Sequence, residues 1–347
     1  MEICILGATG LVGTELLALV ERAWPDATVH LFASRSREIS RAGATLTVRA
    51  ASDLEGPDAP RGDLAFVALD DDHSAHYCPR LLELGYRVID KSNTYRLDPH
   101  VPLVVAGVNH QEVREGVRLV ANPNCTTIPL TLALAPIHRR WGLASVQVST
   151  YQAISGAGAT TLDDFLEQSK TGYAEPDRLG APFDPSGYAA NVVPHAGGTG
   201  DTGFSSEELK LVRESRKILA AEGLDVSAQC CRVPVAVGHY EQLWLTTKRP
   251  TSLENLETLL ADGARAPWVR VYRGASGEGL SSLAATEHRD EALAGRVRAR
   301  LDDTTGTRYC MTVAADNLRL GAATNAVRVA ASWFPSADAA LASTPSA

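Results

Sequence analysis

A thiol and an imidazole are the side chains of this sequence best suited to covalent chemistry. Cys125 lies in Ala-Asn-Pro-Asn-Cys-Thr-Thr-Ile-Pro, residues 121–129, with Leu130, Leu132, Leu134 and Ile137 following as the buried side of a helix. That order sets Cys125 at a helix N-terminus, where unpaired backbone N–H groups and the positive end of the helix dipole favour a thiolate. The same residue reads equally well as a small buried apolar side chain. His239 closes Arg-Val-Pro-Val-Ala-Val-Gly-His, residues 232–239, whose alternation predicts a strand that ends at Gly238 and presents the histidine from a bend. An imidazole exchanges protons near neutral pH and supplies the base that a thiol nucleophile needs. A lone histidine is more often structural, and only the company of Cys125, Gln152 and Arg232 turns the reading towards chemistry.

Other stretches must position these groups. Glu2–Leu6 predicts a strand, Gly-Ala-Thr-Gly-Leu-Val-Gly a turn, and Leu16, Leu17, Leu19 and Val20 a helix. Gly7, Gly10 and Gly13, with Thr9, Leu11 and Val12 between them, then fit a pyrophosphate at a helix N-terminus more readily than a plain turn. The next strand, Thr28–Ala33, ends in Ser34, Arg35, Ser36 and Arg37 where an NAD enzyme typically carries an acid. Hydroxyls and guanidinium groups there suit a 2′-phosphate, hence NADP, although a solvated basic loop has the same composition.

A strand at Asp63–Leu69 leads to Asp70-Asp71-Asp72, which reads as a helix cap and not as a metal site, and a helix over 75–84 ends at Gly85. Arg87–Asp90 predicts another strand. In the polar loop behind it Arg96 is either an anion anchor or an ordinary surface arginine. Ser145–Ala153 predicts a strand running into Ser155-Gly156-Ala157-Gly158, small residues that let backbone approach a ligand. Gln152 at its end suits a substrate carbonyl or a buried structural amide equally. Residues 171–203 read as long loops. Ser205 and Glu208 then form a capping box, with Phe204 stapled on Leu209. Capping accounts for Glu208 without any catalytic role, whereas Lys210, a cation in a first turn, calls for an anionic partner. Around Asn317 and Gly321 small residues again permit close approach to a cofactor, before a helix through Val327, Val329 and Ala330 and a frayed tail from Ser336.

The chain has 347 residues, more than one hydrophobic core usually organises, so two domains are expected. Acidic residues outnumber basic ones, 41 to 33, with no basic block to suit nucleic acid. Six cysteines without a CxxC pair or a histidine cluster suggest neither a disulfide framework nor structural zinc; no metal is expected. Without a signal-like start or a long apolar run, a cytoplasmic, reducing setting and no membrane partner are the expectation.

Asn-Pro-Asn-Cys-Thr-Thr, Tyr-Gln-Ala-Ile-Ser-Gly-Ala-Gly, Glu-Ser-Arg-Lys-Ile-Leu and Arg-Val-Pro-Val-Ala-Val-Gly-His together resemble the aspartate-β-semialdehyde dehydrogenase family, in its order and over nearly the whole length. The resemblance implies an α/β protein: an N-terminal Rossmann-type NADP-binding domain (1–126 and 317–347), a central catalytic and dimerisation domain (127–316), and a C-terminal helix returning to the first. It implies NADPH-dependent reductive dephosphorylation of L-aspartyl-β-phosphate to the semialdehyde, on the route to lysine, threonine and methionine, by a homodimer or homotetramer. Cys125 would attack the acyl phosphate, His239 act as acid and base, and Gln152 orient the acyl group. Arg232 would hold the substrate carboxylate, Glu208 its ammonium, and Arg96 and Lys210 the phosphate, with Asn124 beside the nucleophile. Ser155, Gly156 and Asn317 would join the glycine turn and Ser34, Arg35 and Ser36 at the cofactor.

This sequence departs from the family in Asp90-Lys91-Ser92-Asn93, in Ala106-Gly107-Val108-Asn109 and in Leu320 where a lysine is common. A paralogue acting on a related acyl phosphate therefore stays open, as does an inactive scaffold member. N-acetyl-γ-glutamyl-phosphate reductase is the near rival, but its usual Asn-Pro-Gly-Cys-Tyr differs from Asn124-Cys125-Thr126.

Overall fold

Ile3, Cys4, Ile5 and Leu6 make up most of strand β1 (Glu2–Leu6), and all four are fully buried. Burial on both faces is what a central parallel strand between two helical layers requires. The computed structural model describes residues 1–41, 43–170, 187–194 and 196–341. Its chain forms two units, Met1–Asn124 with the segment from Ala322 onward, and Cys125–Gly321. The sequence reading divides the chain after 126 and before 317; the units divide at 124/125 and 321/322, so Cys125 and Asn317 both belong to the second.

In the first unit β1 runs into α1 (Leu11–Ala23), followed by β2 (Thr28–Ala33), β3 (Arg37–Arg41), β4 (Ala44–Ala50), β5 (Leu64–Val67), α2 (Asp71–Glu83), β6 (Arg87–Asp90) and β7 (Leu119–Ala121). The sheet order is β3-β4-β2-β1-β5-β6-β7, parallel except where β3 pairs antiparallel with β4. β1 therefore has β2 on one side and β5 on the other, and the turn after it opens at the point where strand order reverses. Cys4, Leu6, Phe32, Val67, Leu81 and Tyr86 anchor a core on this sheet. The hairpin of β3 and β4 was not anticipated. Arg37–Arg41 lacks a fully buried residue, so its edge strand carries no apolar alternation to read. α2 starts at Asp71 and not near Ala75, because Asp70 caps it through a bond from the His73 N–H.

The second unit comprises α3 (Thr127–Trp141), β8 (Leu143–Gln152), α4 (Ala159–Lys170), α5 (Ser206–Ile218), β9 (Asp225–Arg232), β10 (His239–Thr247), α6 (Leu253–Leu260), β11 (Val269–Tyr272), α7 (Ser282–Glu287), β12 (Ala292–Ala299) and β13 (Arg308–Ala315). Its mixed sheet has the order β11-β12-β13-β10-β8-β9, with β10 antiparallel to both β8 and β13. α3 was expected to bury one side; every residue from Thr127 to Ile137 is buried. Such a helix lies inside the unit, here against β10, β12 and β13 and beside α5 and α6. The strand predicted over 232–238 is also displaced: β9 stops at Arg232, and Pro234 and the positive φ of Gly238 (100°) belong to the bend that follows. Residues 171–186 and 195 of the expected loop region lie outside the described residues. No helix among the described residues is long and apolar enough to cross a membrane.

The chain re-enters the first unit through a π-helical stretch, Arg319–Thr324, and α8 (Asn325–Ala330), which packs on α1. Asn325 is buried there: its Oδ1 accepts from the Ala106 N–H at 3.0 Å, and its Nδ2 donates to Val104 O at 2.9 Å and Asn122 Oδ1 at 2.8 Å. Truncating it leaves three buried polar groups unpaired. Asn325→Ala should lower unfolding stability by about 2–4 kcal/mol in urea titration, most of it regained by no apolar replacement of similar size.

Candidate active site

α3 brings Cys125 to the position just before its N-cap, Thr126, and the chain reversal ahead of β10 brings in His239. The Cys125 Sγ lies 3.2 Å from His239 Nε2. Although 114 positions apart in the chain, both belong to the second unit. The other ring nitrogen, Nδ1, accepts a bond of 3.0 Å from the Ala153 backbone N–H, one residue past β8. The imidazole is fully buried, and burial followed by the nearby Arg232 cation pushes its pKa down to about 3.

Arg232, last in β9, and Gln152, last in β8, are register partners and both are buried. Arg232 Nη1 donates to Ala153 O at 2.8 Å and reaches Gln152 Oε1 at 3.5 Å, while Gln152 Nε2 donates to Thr150 Oγ1 at 3.3 Å. These acceptors are neutral, so a buried guanidinium stands here without a carboxylate among the described residues. An enclosed cation of this kind is costly unless an anion arrives to pair it. Gly156 explains the close packing: a Cβ on it would sit 2.8 Å from Arg232 Nη1 and 3.2 Å from His239 Cε1. Asn317 Oδ1 accepts from the Gly238 N–H at 3.0 Å, and its Nδ2 donates to Ser155 Oγ at 2.9 Å. The side chains of Ser155 and Asn317, expected at the cofactor, thus brace each other and the bend that delivers His239.

The first turn of α5 sets its two glutamates apart. Ser205 caps it as expected, and Glu208 closes the box: Oε2 accepts from the Ser205 N–H at 2.7 Å and Oε1 from the Cys230 N–H at 3.1 Å. Both oxygens of Glu208 serve the backbone. Its neighbour Glu207 instead meets Lys210 Nζ at 2.7 Å, which is the anionic partner that lysine called for. Glu207 was missed although its i,i+3 spacing from Lys210 is plain in the sequence. Phe204, expected to staple on Leu209, is 52% exposed.

In the first unit Arg96 is no surface arginine. It is buried, with Nε on Asn122 O (3.0 Å), Nη1 on Asn93 Oδ1 (3.1 Å) and Nη2 on Lys91 O (2.6 Å). Asn124 is buried too. The turn after β1 fits a dinucleotide. Gly10 caps α1 with no side-chain bond, and a Cβ on Gly13 would fall 2.1 Å from Gly7 O. Glycines thus keep the backbone close around a helix N-terminus that Leu11, Val12 and Gly13 begin, the arrangement a pyrophosphate requires. Ser34, Arg35 and Ser36 are exposed at the end of β2, where Ser36 Oγ also accepts from the Ala50 N–H at 3.0 Å. No cluster among the described residues could hold a metal.

Cys4, Cys78 and Cys230 are buried, and desolvation drives their pKa values up, Cys230 to about 12, which suppresses their thiolates. A further carboxyl was overlooked. Glu241 follows His239 by two along β10, on the same face; it is 1% exposed, and neither oxygen has a hydrogen-bond partner among the described residues. Burial raises its pKa well above the usual carboxylate range.

Two profile matches cover most of the chain: the semialdehyde dehydrogenase NAD binding domain over residues 2–116 and the semialdehyde dehydrogenase dimerisation domain over residues 134–320. An aspartate-semialdehyde dehydrogenase of Aquifex aeolicus is 37% identical over 336 residues, 95% of this chain and 96% of that one. The structure of Vibrio cholerae aspartate semialdehyde dehydrogenase II complexed with ASA superposes with a TM-score of 0.84 at 32% identity, covering 95% and 96% of the two chains. A Candida albicans aspartate semialdehyde dehydrogenase with NADP shares the fold at 23% identity, with a TM-score of 0.71 and coverage of 95% and 97%.

The Glu241 carboxyl keeps its proton in the folded state and loses it in the unfolded one above the ordinary carboxylate range, so its presence lowers stability as pH rises. Glu241→Gln removes that penalty. Chemical denaturation should show the variant gaining on the parent chain as pH rises above the ordinary carboxylate range, with the gain vanishing towards about pH 4. His239 has the opposite sign. Its folded pKa is depressed, so its contribution is whole above about pH 6.5 and is lost on acidification by up to about 1.4 kcal/mol per pH unit, a slope that His239→Asn should abolish.

Proposed function

The chain belongs to the aspartate-semialdehyde dehydrogenase family, and on that premise we propose that it reduces L-aspartyl-β-phosphate to L-aspartate-β-semialdehyde with NADPH, reversibly, in the biosynthesis of lysine, threonine and methionine. The observation that carries this reading is the 3.2 Å approach of the Cys125 sulfur to a buried imidazole, beside a guanidinium whose partners among the described residues are neutral.

Cys125 attacks the acyl phosphate carbon; the S–C bond forms as the C–O bond to phosphate breaks. Sulfur suits this role because a thioester, unlike a carboxylate, is electrophilic enough to accept hydride. Gln152 orients the acyl oxygen. Arg232 pairs with the substrate α-carboxylate, for which a planar two-point donor is the best match. Glu207, and not Glu208, takes the ammonium, since its carboxylate is the one whose charged partner is another side chain and not the backbone. Lys210 and Arg96 receive phosphate, with Asn124 next to the nucleophile. NADP is held by the backbone from Gly7 to Gly13, with Thr9 and Leu11 in that turn, and by Ser34, Arg35 and Ser36 at the 2′-phosphate; when bound it supplies the hydride. A homodimer or homotetramer formed through the dimerisation domain, in a reducing cytoplasm, completes the reading.

The test is phosphate-dependent NADP reduction with aspartate semialdehyde, run beside N-acetylglutamate semialdehyde. Activity with the first alone is expected, and Cys125→Ala should lose it by at least about a thousandfold. Comparable rates with both substrates would remove the substrate assignment. Glu207→Gln should raise the KM for aspartate semialdehyde about 10- to 100-fold at little cost in stability. Glu208→Gln should do the reverse.

A further inference from the structure

We propose that two crossed ion pairs, Arg289–Asp316 and Asp290–Arg319, serve as positioning residues that set the spacing of Cys125 and His239 without touching either. The proposal rests on the reading above that these two side chains carry the reaction, and it names what holds them together.

Both pairs join the same two segments of the second unit. One is the loop between α7 and β12; the other is the turn that follows β13 and enters the π-helical stretch. Adjacent loop residues of opposite sign meet two residues of the turn, each opposite in sign to its partner. Arg289 Nε donates to Asp316 Oδ2 at 2.7 Å. Arg319 donates to both oxygens of Asp290, from Nη2 at 3.0 and 2.7 Å and from Nε at 3.1 Å. A third tether runs from the Leu320 N–H to Arg289 O at 3.0 Å. Asp316 is fully buried and Arg319 nearly so, which separates these pairs from the solvated ones whose contribution is small. Two-point pairing of a guanidinium fixes direction as well as distance, so the turn is held against both sliding and rotation.

What this turn carries is the reacting pair. Asp316 Oδ1 accepts from the N–H groups of Leu318 and Arg319 at 2.9 Å each, and the Gly321 N–H closes a bond of the π type on Asp316 O at 3.0 Å. Between those anchors the Asn317 side chain holds the Gly238 N–H and Ser155 Oγ, one residue before His239. At its far end Gly321 lies on the nucleophile: a Cβ there would stand 2.9 Å from Cys125 O and 3.0 Å from Cys125 Cβ. The stretch from Asp316 to Gly321 therefore touches the bend that delivers the histidine and the backbone that delivers the cysteine. Ser282, at the start of α7, backs the same bend from another side, since a Cβ on Gly238 would fall 2.3 Å from its carbonyl oxygen. A displacement of about 1 Å at either end would open the sulfur–nitrogen contact of 3.2 Å, and misplacement of that size costs up to about a hundredfold in rate.

Iodoacetamide alkylation of Cys125 in the free full-length chain, read on its own peptide by mass spectrometry across pH, reports the thiol's surroundings without substrate or NADP. Asp290→Asn and Arg319→Gln should each slow it about tenfold near neutral pH and raise the midpoint of its pH profile by about one unit, towards that of an ordinary thiol. The double variant should do no more than either single one, because both remove the same pair. Glu291→Gln, which breaks the neighbouring surface pair with Arg270, should leave the rate within about twofold. With aspartate semialdehyde, phosphate and NADP, kcat should fall about 10- to 100-fold in Asp290→Asn while KM stays within about threefold, since the pairs stand behind the reacting side chains and not at the substrate.

Unchanged alkylation in Asp290→Asn overturns the proposal; so does a double variant in which the two effects add, or a rise in KM at unchanged kcat. Asp290→Asn keeps the shape of a part-exposed side chain, so its result stands where Arg319→Gln does not fold. A semialdehyde assay silent in the parent chain would sink the function, whereas the alkylation profiles still decide the positioning role.

Discussion

The hydrogen bond from the Ala153 N–H to His239 Nδ1 is the constraint on which the second unit's chemistry depends. It fixes the orientation of the imidazole and turns Nε2 towards sulfur. Three chain ends must meet for it to exist. β8 must stop at Gln152, β9 at Arg232 and β10 must start at His239, which their shared register secures. Gly238, at a φ of 100°, reverses the chain into β10, and Asn317 holds that reversal through its N–H. A side chain at Gly156 would drive Arg232 and His239 apart.

The polar interior of this unit is unbalanced by design of its residues. Arg232 is a buried cation bonded to a carbonyl and an amide oxygen, and Glu241 is a buried acid with no partner among the described residues. Folding alone would favour apolar side chains at both places. An arginine enclosed with neutral acceptors becomes comprehensible once an anionic ligand is its missing partner, for then the desolvation already spent in folding need not be spent again on binding. No comparable account presents itself for Glu241. Its place on the His239 face of β10 is a fact for which the structure offers no ligand.

Much of this was legible in the sequence where local chemistry and tertiary demand coincide. The strands Glu2–Leu6, Thr28–Ala33 and Arg87–Asp90 carry short apolar stretches, and they fall where the sequence reading puts them. The capping box at Ser205 is likewise a local contract between side chain and backbone. Legibility failed where a partner distant in sequence decided the outcome. The edge strand Arg37–Arg41 takes its conformation from β4 and not from an apolar face. The alternation of Val233 and Val235 promised a strand, but Pro234 has no N–H to give a ladder, and the Val235 N–H turns back to Val233 O at 2.7 Å. Burial all round α3 depends on the elements that surround it, which a helical period cannot announce. Neither Arg96, sunk in its own loop, nor the Ala153 N–H leaves any mark in residue type.

The two adjacent glutamates of α5 show how the local rule and the functional one separate. A carboxylate at the third position of a helix can turn back to the cap, and Glu208 does so, with its second oxygen holding β9 at Cys230, two residues before Arg232. That anchors the strand which presents the guanidinium. One position earlier a carboxylate cannot close the box, and Glu207 is left to meet a cation, Lys210, one turn on. For an amino-acid substrate the useful pair is a fixed guanidinium and a carboxylate whose partner is exchangeable. On the function proposed above, Glu208 supplies the fixing and Glu207 the exchange: a lysine ammonium bound to Glu207 has the charge of the substrate ammonium that would replace it.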